Sequence, residues 1–77
     1  DAYFSVREVK VGMVADLFTL QRIEKLMNPS AAVQMAFSGS NYPAKQMYEW
    51  GFLSSVYKDA DEMLVQARKL AQDIASN

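Results

Sequence analysis

The chain contains neither cysteine nor histidine in its 77 residues. A chain of this length buries only about 60% of the surface that its unfolded form exposes, so small domains usually need a disulfide or a bound metal to be stable. Without these residue types, neither a disulfide nor a structural zinc site can form. Apolar packing must therefore hold the chain together, and 51% of its residues are apolar. We expect one domain over residues 1–77, whose packing can include other chains.

The charge distribution argues against two classes of partner. Eight basic and nine acidic residues give a net charge of -1, and no basic stripe is present that would release counterions from a nucleic-acid backbone. The longest uncharged run covers residues 26–44 and is interrupted by proline, glycine, asparagine and serine. Such a run is too polar to span a bilayer. We expect neither nucleic-acid binding nor a membrane span.

The N-terminal residues predict a short strand followed by a loop. Residues 2–6 alternate in the manner of a pleated surface, with Phe4 and Val6 on one face. Residues 7–16 mix polar and apolar side chains, so they fit either a second strand or an irregular loop that bends at Gly12. We favour the loop.

Helical spacing begins at Thr19, which we predict as the N-cap of a first helix. Asn28 and Pro29 stop that helix. Ser30 then caps a second helix that ends in the small residues 38–40.

A third helix is predicted from Pro43, with Gly51 as the residue that closes it. Residues 52–57 form a candidate second strand. This order gives a segment of mixed helix and strand, joined by short connections as in one compact unit.

The longest predicted helix covers residues 59–76. Asp59 and Glu62 have the spacing of a capping box. A single apolar face follows at helical intervals, formed by Met63, Leu64, Ala67, Leu70, Ala71 and Ile74.

Several stretches of the chain resemble the crotonase superfamily of enoyl-CoA hydratases and isomerases, and within it the dienoyl-CoA isomerases. The pair Glu8 and Asp16 resembles the isomerase branch, because hydratases usually keep a glycine near the second position. The resemblance covers nearly the whole chain, and its densest parts are residues 2–16, 19–22, 37–39 and 50–56.

The resemblance implies an α/β fold class, namely the C-terminal portion of a crotonase-like fold, helix-rich with two short strands. The N-terminal half, which carries the oxyanion hole in the family, is absent from these residues. The implied function is an isomerase that shifts conjugated double bonds of a dienoyl-CoA in fatty acid β-oxidation, as part of a larger parent enzyme. In that reaction Asp16 is the base beside the thioester and Glu8 is the acid at the distal carbon.

The resemblance also implies the partners and the location. CoA is part of the acyl-CoA substrate, and no metal or redox cofactor is expected. The parent protein is expected to be a homo-oligomer, a trimer or hexamer, in the mitochondrion or the peroxisome, with targeting signals outside this segment. In the family the backbone donors for the thioester oxygen lie upstream, so we expect the isolated segment to be inactive.

Two alternatives stay open. One is another crotonase activity, such as hydration of an enoyl-CoA, in which Glu8 acts on water and Asp16 is incidental. The other is a non-catalytic fragment that keeps the helices of the fold as a structural or interaction piece.

Overall fold

A computed structural model of the chain describes residues 1–15 and 19–77. The helix-rich architecture with two short strands predicted above is confirmed. Its elements, in chain order, are β1 (Tyr3–Phe4), a 3-10 helix (Glu8–Val11), α1 (Thr19–Leu26), α2 (Pro29–Ser38), β2 (Tyr42–Pro43), α3 (Ala44–Glu49) and α4 (Ala60–Ala75).

The two strands form a small antiparallel ladder. Tyr3 lies opposite Pro43 and Phe4 lies opposite Tyr42. The ladder continues by one bond, because the Ala44 N–H donates to the carbonyl of the residue before Tyr3 at 3.1 Å. The predicted strand near the N-terminus is therefore confirmed, although it is shorter than the alternating pattern suggested.

The prediction of a second strand over residues 52–57 is wrong, because this segment is irregular. The N–H groups of Phe52 and Leu53 both donate to the Met47 carbonyl, at 2.9 and 3.4 Å. These bonds close the end of α3 and take the donors that a ladder would need. The Phe52 ring instead packs edge-on against Phe4, with 5.8 Å between ring centroids.

The junction between α1 and α2 lies where the sequence indicated, but a different residue caps α2. Asn28 is the N-cap: its Oδ1 accepts the N–H groups of Ser30 and Ala31, at 3.0 and 3.3 Å. Ser30, the predicted cap, lies inside the helix and donates its hydroxyl to Asn28 at 2.8 Å. Pro29 fills the first helical position, where no N–H is needed.

The core lies between α1, α2 and α3, with the end of the first strand segment against it. Met35 and Met47 are its most buried side chains, at 2% and 1% exposure. Methionine is unbranched and flexible, so it fills irregular spaces between helices. The buried set consists of Val6, Ile23, Met27, Ala31, Ala32, Met35 and Met47.

Helix α4 stands apart from this core. Its cap is confirmed, because Asp59 Oδ1 accepts the Glu62 N–H at 2.7 Å. Within residues 1–15 and 19–77, α4 contacts no other helix or strand. Its apolar face is consequently exposed, with Leu70 and Ile74 at 59% and 66%. None of the helices described is both long and apolar enough to cross a membrane.

Truncation of Met47 tests where the core lies. Met47→Ala leaves a cavity among three helices and should lower the free energy of unfolding by about 2–5 kcal/mol. Met63→Ala, at a position 47% exposed, should cost no more than about 1 kcal/mol. Urea denaturation followed by circular dichroism measures both, and equal losses would contradict this core.

The cap of α2 is tested by comparing Asn28→Ala with Ser30→Ala. The first removes the acceptor of two N–H groups and should cost about 1 kcal/mol in the free energy of unfolding. The second should cost less, since Ser30 accepts no capping bond. Thermal or urea denaturation gives the order of the two losses, and the reverse order would restore Ser30 as the cap.

Candidate active site

Glu8 is the first residue of the 3-10 helix and is half-buried. The turn that holds it is closed by two backbone bonds of 2.9 Å, from the Lys10 N–H to the Arg7 carbonyl and from the Met13 N–H to the Glu8 carbonyl. Gly12 ends the turn in the left-handed conformation, at φ 78°. A Cβ at that position would meet no atom within 4 Å. The left-handed backbone angle, and not a lack of space, is therefore what favours glycine here. The predicted bend at Gly12 is confirmed.

Asp16, the other predicted catalytic residue, lies outside the described residues 1–15 and 19–77. Its role and its distance from Glu8 stay predictions. The helical turn that begins at Glu8 is closed at Met13, whose N–H donates to the Glu8 carbonyl at 2.9 Å. The three peptide steps that remain to Asp16 span at most about 10–11 Å when fully extended.

The last residue of α2 and the three residues after it, together called the 38–41 loop, lie against the segment that carries Glu8. The Ser5 hydroxyl donates to the Gly39 carbonyl at 3.2 Å. The Arg7 guanidinium donates to Asn41 Oδ1 at 3.3 Å. Both contacts join residues 34 positions apart in the sequence, so only the folded chain brings them together.

Gly39 lies against the 3-10 helix. It is the left-handed C-cap of α2, at φ 62°, and its N–H donates to the Met35 carbonyl. A Cβ built on Gly39 would lie 2.7 Å from Lys10 Cγ and 2.9 Å from Val9 Cγ1. The sequence pattern placed Gly39 at a helix end, and the family resemblance includes it within residues 37–39. A glycine beside other small residues gives no sign of which distant helix it must approach.

A cleft of about 270 Å³ opens between β1 and α1. Its lining is mainly apolar, with the side chains of Ser5, Thr19 and Arg22 as the polar members. Glu8 is two residues beyond the nearest lining residue of its own segment. No sequence pattern predicted this cleft. It is lined by Phe4, Ser5, Val6, Thr19, Arg22, Ile23, Leu26, Met35, Met47 and Phe52.

The sequence model of the enoyl-CoA hydratase/isomerase family matches residues 1–77. The chain belongs to this family. The resemblance inferred from the sequence is therefore confirmed, and Glu8 and Asp16 can be considered as residues of a crotonase-type protein.

Two relatives in this family are named mitochondrial Delta(3,5)-Delta(2,4)-dienoyl-CoA isomerases. The protein from Dictyostelium discoideum is 43% identical over 100% of this chain and 26% of its own length. The protein from Rattus norvegicus is 42% identical over 99% of this chain and 24% of its own length. The chain thus spans about a quarter of the length of these curated relatives.

A solved structure shows the same fold. An enoyl-CoA hydratase from Mycobacterium tuberculosis superposes with a TM-score of 0.89 at 31% identity, over 100% of this chain and 30% of the hydratase chain. The crotonase-like fold predicted from the sequence is confirmed by this likeness.

Proposed function

We propose that this chain is part of a dienoyl-CoA isomerase that acts in fatty acid β-oxidation. The observation that carries the proposal is the short helical turn that begins at Glu8 and is closed by the bond of 2.9 Å from the Met13 N–H to the Glu8 carbonyl. A second carboxylate, Asp16, follows only three residues later. The 43% identity to a relative with that name supports the isomerase over other members of the family.

The proposed reaction removes one proton from the substrate and returns one proton to it, with no net transfer of electrons. Asp16 takes a proton from the carbon beside the thioester, and the electron pair spreads through the diene to the thioester oxygen. Glu8, in its protonated form, then gives a proton to the distal carbon of the diene. Both double bonds move by one position toward the thioester. Because no atom is oxidised, CoA within the substrate is the only cofactor that the proposal requires.

The charge that develops on the thioester oxygen needs donors, and one such donor is worth about 2.7–4 kcal/mol in enzymes of acyl transfer. In the proposed parent enzyme these are backbone N–H groups outside residues 1–77. This requirement is why we expect the isolated segment to be inactive. The cleft has mainly apolar walls, which suit the hydrocarbon part of an acyl thioester, and Glu8 is not among its lining residues.

The proposal extends to the assembly and the location of the parent enzyme. The exposed apolar face of α4 supports its packing within the parent or on a neighbouring subunit, and we propose a homo-oligomer. The compartment is the mitochondrion or the peroxisome, and the names of the Dictyostelium and rat relatives favour the first.

Hydration of an enoyl-CoA is the second candidate function. It is favoured by the likeness to the mycobacterial enoyl-CoA hydratase, at a TM-score of 0.89. In this reaction Glu8 acts on a water molecule, and Asp16 takes no part.

Replacement of Asp16 separates the two functions. In the full-length protein, Asp16→Asn should lower kcat for dienoyl-CoA isomerisation on the order of 10²–10⁴-fold, because the base is lost while the side-chain volume is kept. Asp61→Asn, an exposed acid on α4, is the matched control and should leave kcat unchanged. The ultraviolet absorbance of the conjugated product follows the reaction. A wild-type protein that hydrates enoyl-CoA without isomerising dienoyl-CoA, and is unaffected by Asp16→Asn, would make it a hydratase.

Replacement of Glu8 tests the step that both functions share. Glu8→Gln cannot donate or accept the proton, so kcat should fall on the order of 10²–10⁴-fold in whichever reaction the protein catalyses. Glu24→Gln, an exposed position on α1, serves as the control. Full activity of Glu8→Gln in steady-state assays would exclude Glu8 from proton transfer.

A further inference from the structure

We infer that Gly39 is a positioning residue, which holds the 3-10 helix so that the Glu8 carboxyl stays fixed. The inference rests on the proposed function insofar as it gives Glu8 a part in proton transfer. The geometric part of the inference, that the 38–41 loop holds this helix, stands on contacts alone.

The first observation is how close Gly39 comes to the helix that begins at Glu8. A Cβ on Gly39 would lie 2.7 Å from Lys10 Cγ and 2.9 Å from Val9 Cγ1. Both distances are shorter than carbon atoms tolerate, so one side must move. Val9 is β-branched and stiff at χ1, and Lys10 Cγ is only two bonds from the backbone. An added methyl group would therefore displace the Val9 and Lys10 side chains close to where they join the helix backbone.

The second observation is that the same loop holds the residues before Glu8. Ser5 donates to the Gly39 carbonyl at 3.2 Å, and Arg7 donates to Asn41 at 3.3 Å. The loop is thus hydrogen-bonded to Ser5 and Arg7 before Glu8, and it lies against Val9 and Lys10 after Glu8. A displacement of the loop changes both sides together.

The third observation is that the loop is itself tied to the core. The Gly39 N–H donates at 3.1 Å to the carbonyl of Met35, whose side chain is 2% exposed. The position of the Glu8 segment is therefore fixed relative to the buried core through α2. A rigid support of this kind is what a proton donor needs, because misplacement by about 1 Å costs on the order of 10² in rate.

Gly39 has a second reason to be glycine, which the experiment must separate from the first. Its φ of 62° lies in the left-handed region, which costs energy for any residue with a Cβ. Gly51 has the same requirement, at φ 93°, but the nearest atom to a Cβ there is Met27 Cα at an ordinary 3.8 Å. Gly51→Ala therefore carries the backbone strain without the collision.

The test compares Gly39→Ala with Gly51→Ala in the full-length protein. We expect Gly39→Ala to lower kcat on the order of 10²-fold with little change in KM, since the acid is misplaced and substrate binding is kept. We expect Gly51→Ala to change kcat by no more than about threefold. Hydrogen exchange of the Met13 N–H, which is bonded to the Glu8 carbonyl, should be faster in Gly39→Ala and unchanged in Gly51→Ala.

A rescue variant tests the collision itself. Val9→Ala and Lys10→Ala remove the atoms that a Cβ on Gly39 would meet, so their addition to Gly39→Ala should restore most of the lost kcat. The double variant without the Gly39 change is the reference. If Gly39→Ala does not fold, Ser5→Ala with Asn41→Ala removes both loop bonds without adding an atom, and should also speed Met13 exchange and lower kcat.

Equal kcat and equal Met13 exchange in Gly39→Ala and Gly51→Ala would overturn the inference, as would the absence of rescue. In the fallback variant, unchanged exchange and kcat would overturn it as well. A wild-type protein that turns over neither dienoyl-CoA nor enoyl-CoA would sink the proposed function alone. Faster Met13 exchange in Gly39→Ala would then still uphold the contact between the loop and the helix.

Discussion

The burial of Met35 and Met47 between the short helices is the interaction on which the rest of this structure depends. No disulfide or structural zinc site is open to a chain without cysteine or histidine, so these apolar contacts are what fix α1, α2 and α3 together. Both ends of α2 then become fixed points. Asn28 caps its N-terminus. Its C-terminus leads into the 38–41 loop, which lies against the 3-10 helix.

The 38–41 loop connects the core to the candidate site. Gly39 touches the 3-10 helix after Glu8, and Ser5 and Arg7 bind the loop before it. A carboxyl group on a surface turn is ordinarily mobile. Here the loop contacts residues before and after Glu8. These contacts support the proposal that Glu8 is held in place for proton transfer.

Helix α4 is not covered by the small core of this chain. It is well capped and strongly patterned, yet its apolar face meets no other element among residues 1–15 and 19–77. The chain is elongated as a result, with extents of 44 × 28 × 19 Å. The named relatives are about four times as long as the matched region, and an exposed apolar face of this kind fits a surface that packs within such a larger protein.

Local signals in the sequence determined several of the element ends. The Asp59 cap, the stop at Asn28 and Pro29, and the bend at Gly12 each act within a few residues, so they were predictable one by one. The residues of the family resemblance, Glu8 among them, also belong to the sequence itself.

Only the tertiary structure decided which distant segments meet. Phe4 pairs with Tyr42 and not with residues 52–57, where the N–H groups of Phe52 and Leu53 instead close the end of α3. Asn28 caps α2 in place of Ser30, with Pro29 in the first helical position. The approach of Gly39 to Lys10 spans 29 positions, and periodicity holds no information over that distance. Contacts of this range form because the core brings them together, and no local preference encodes them.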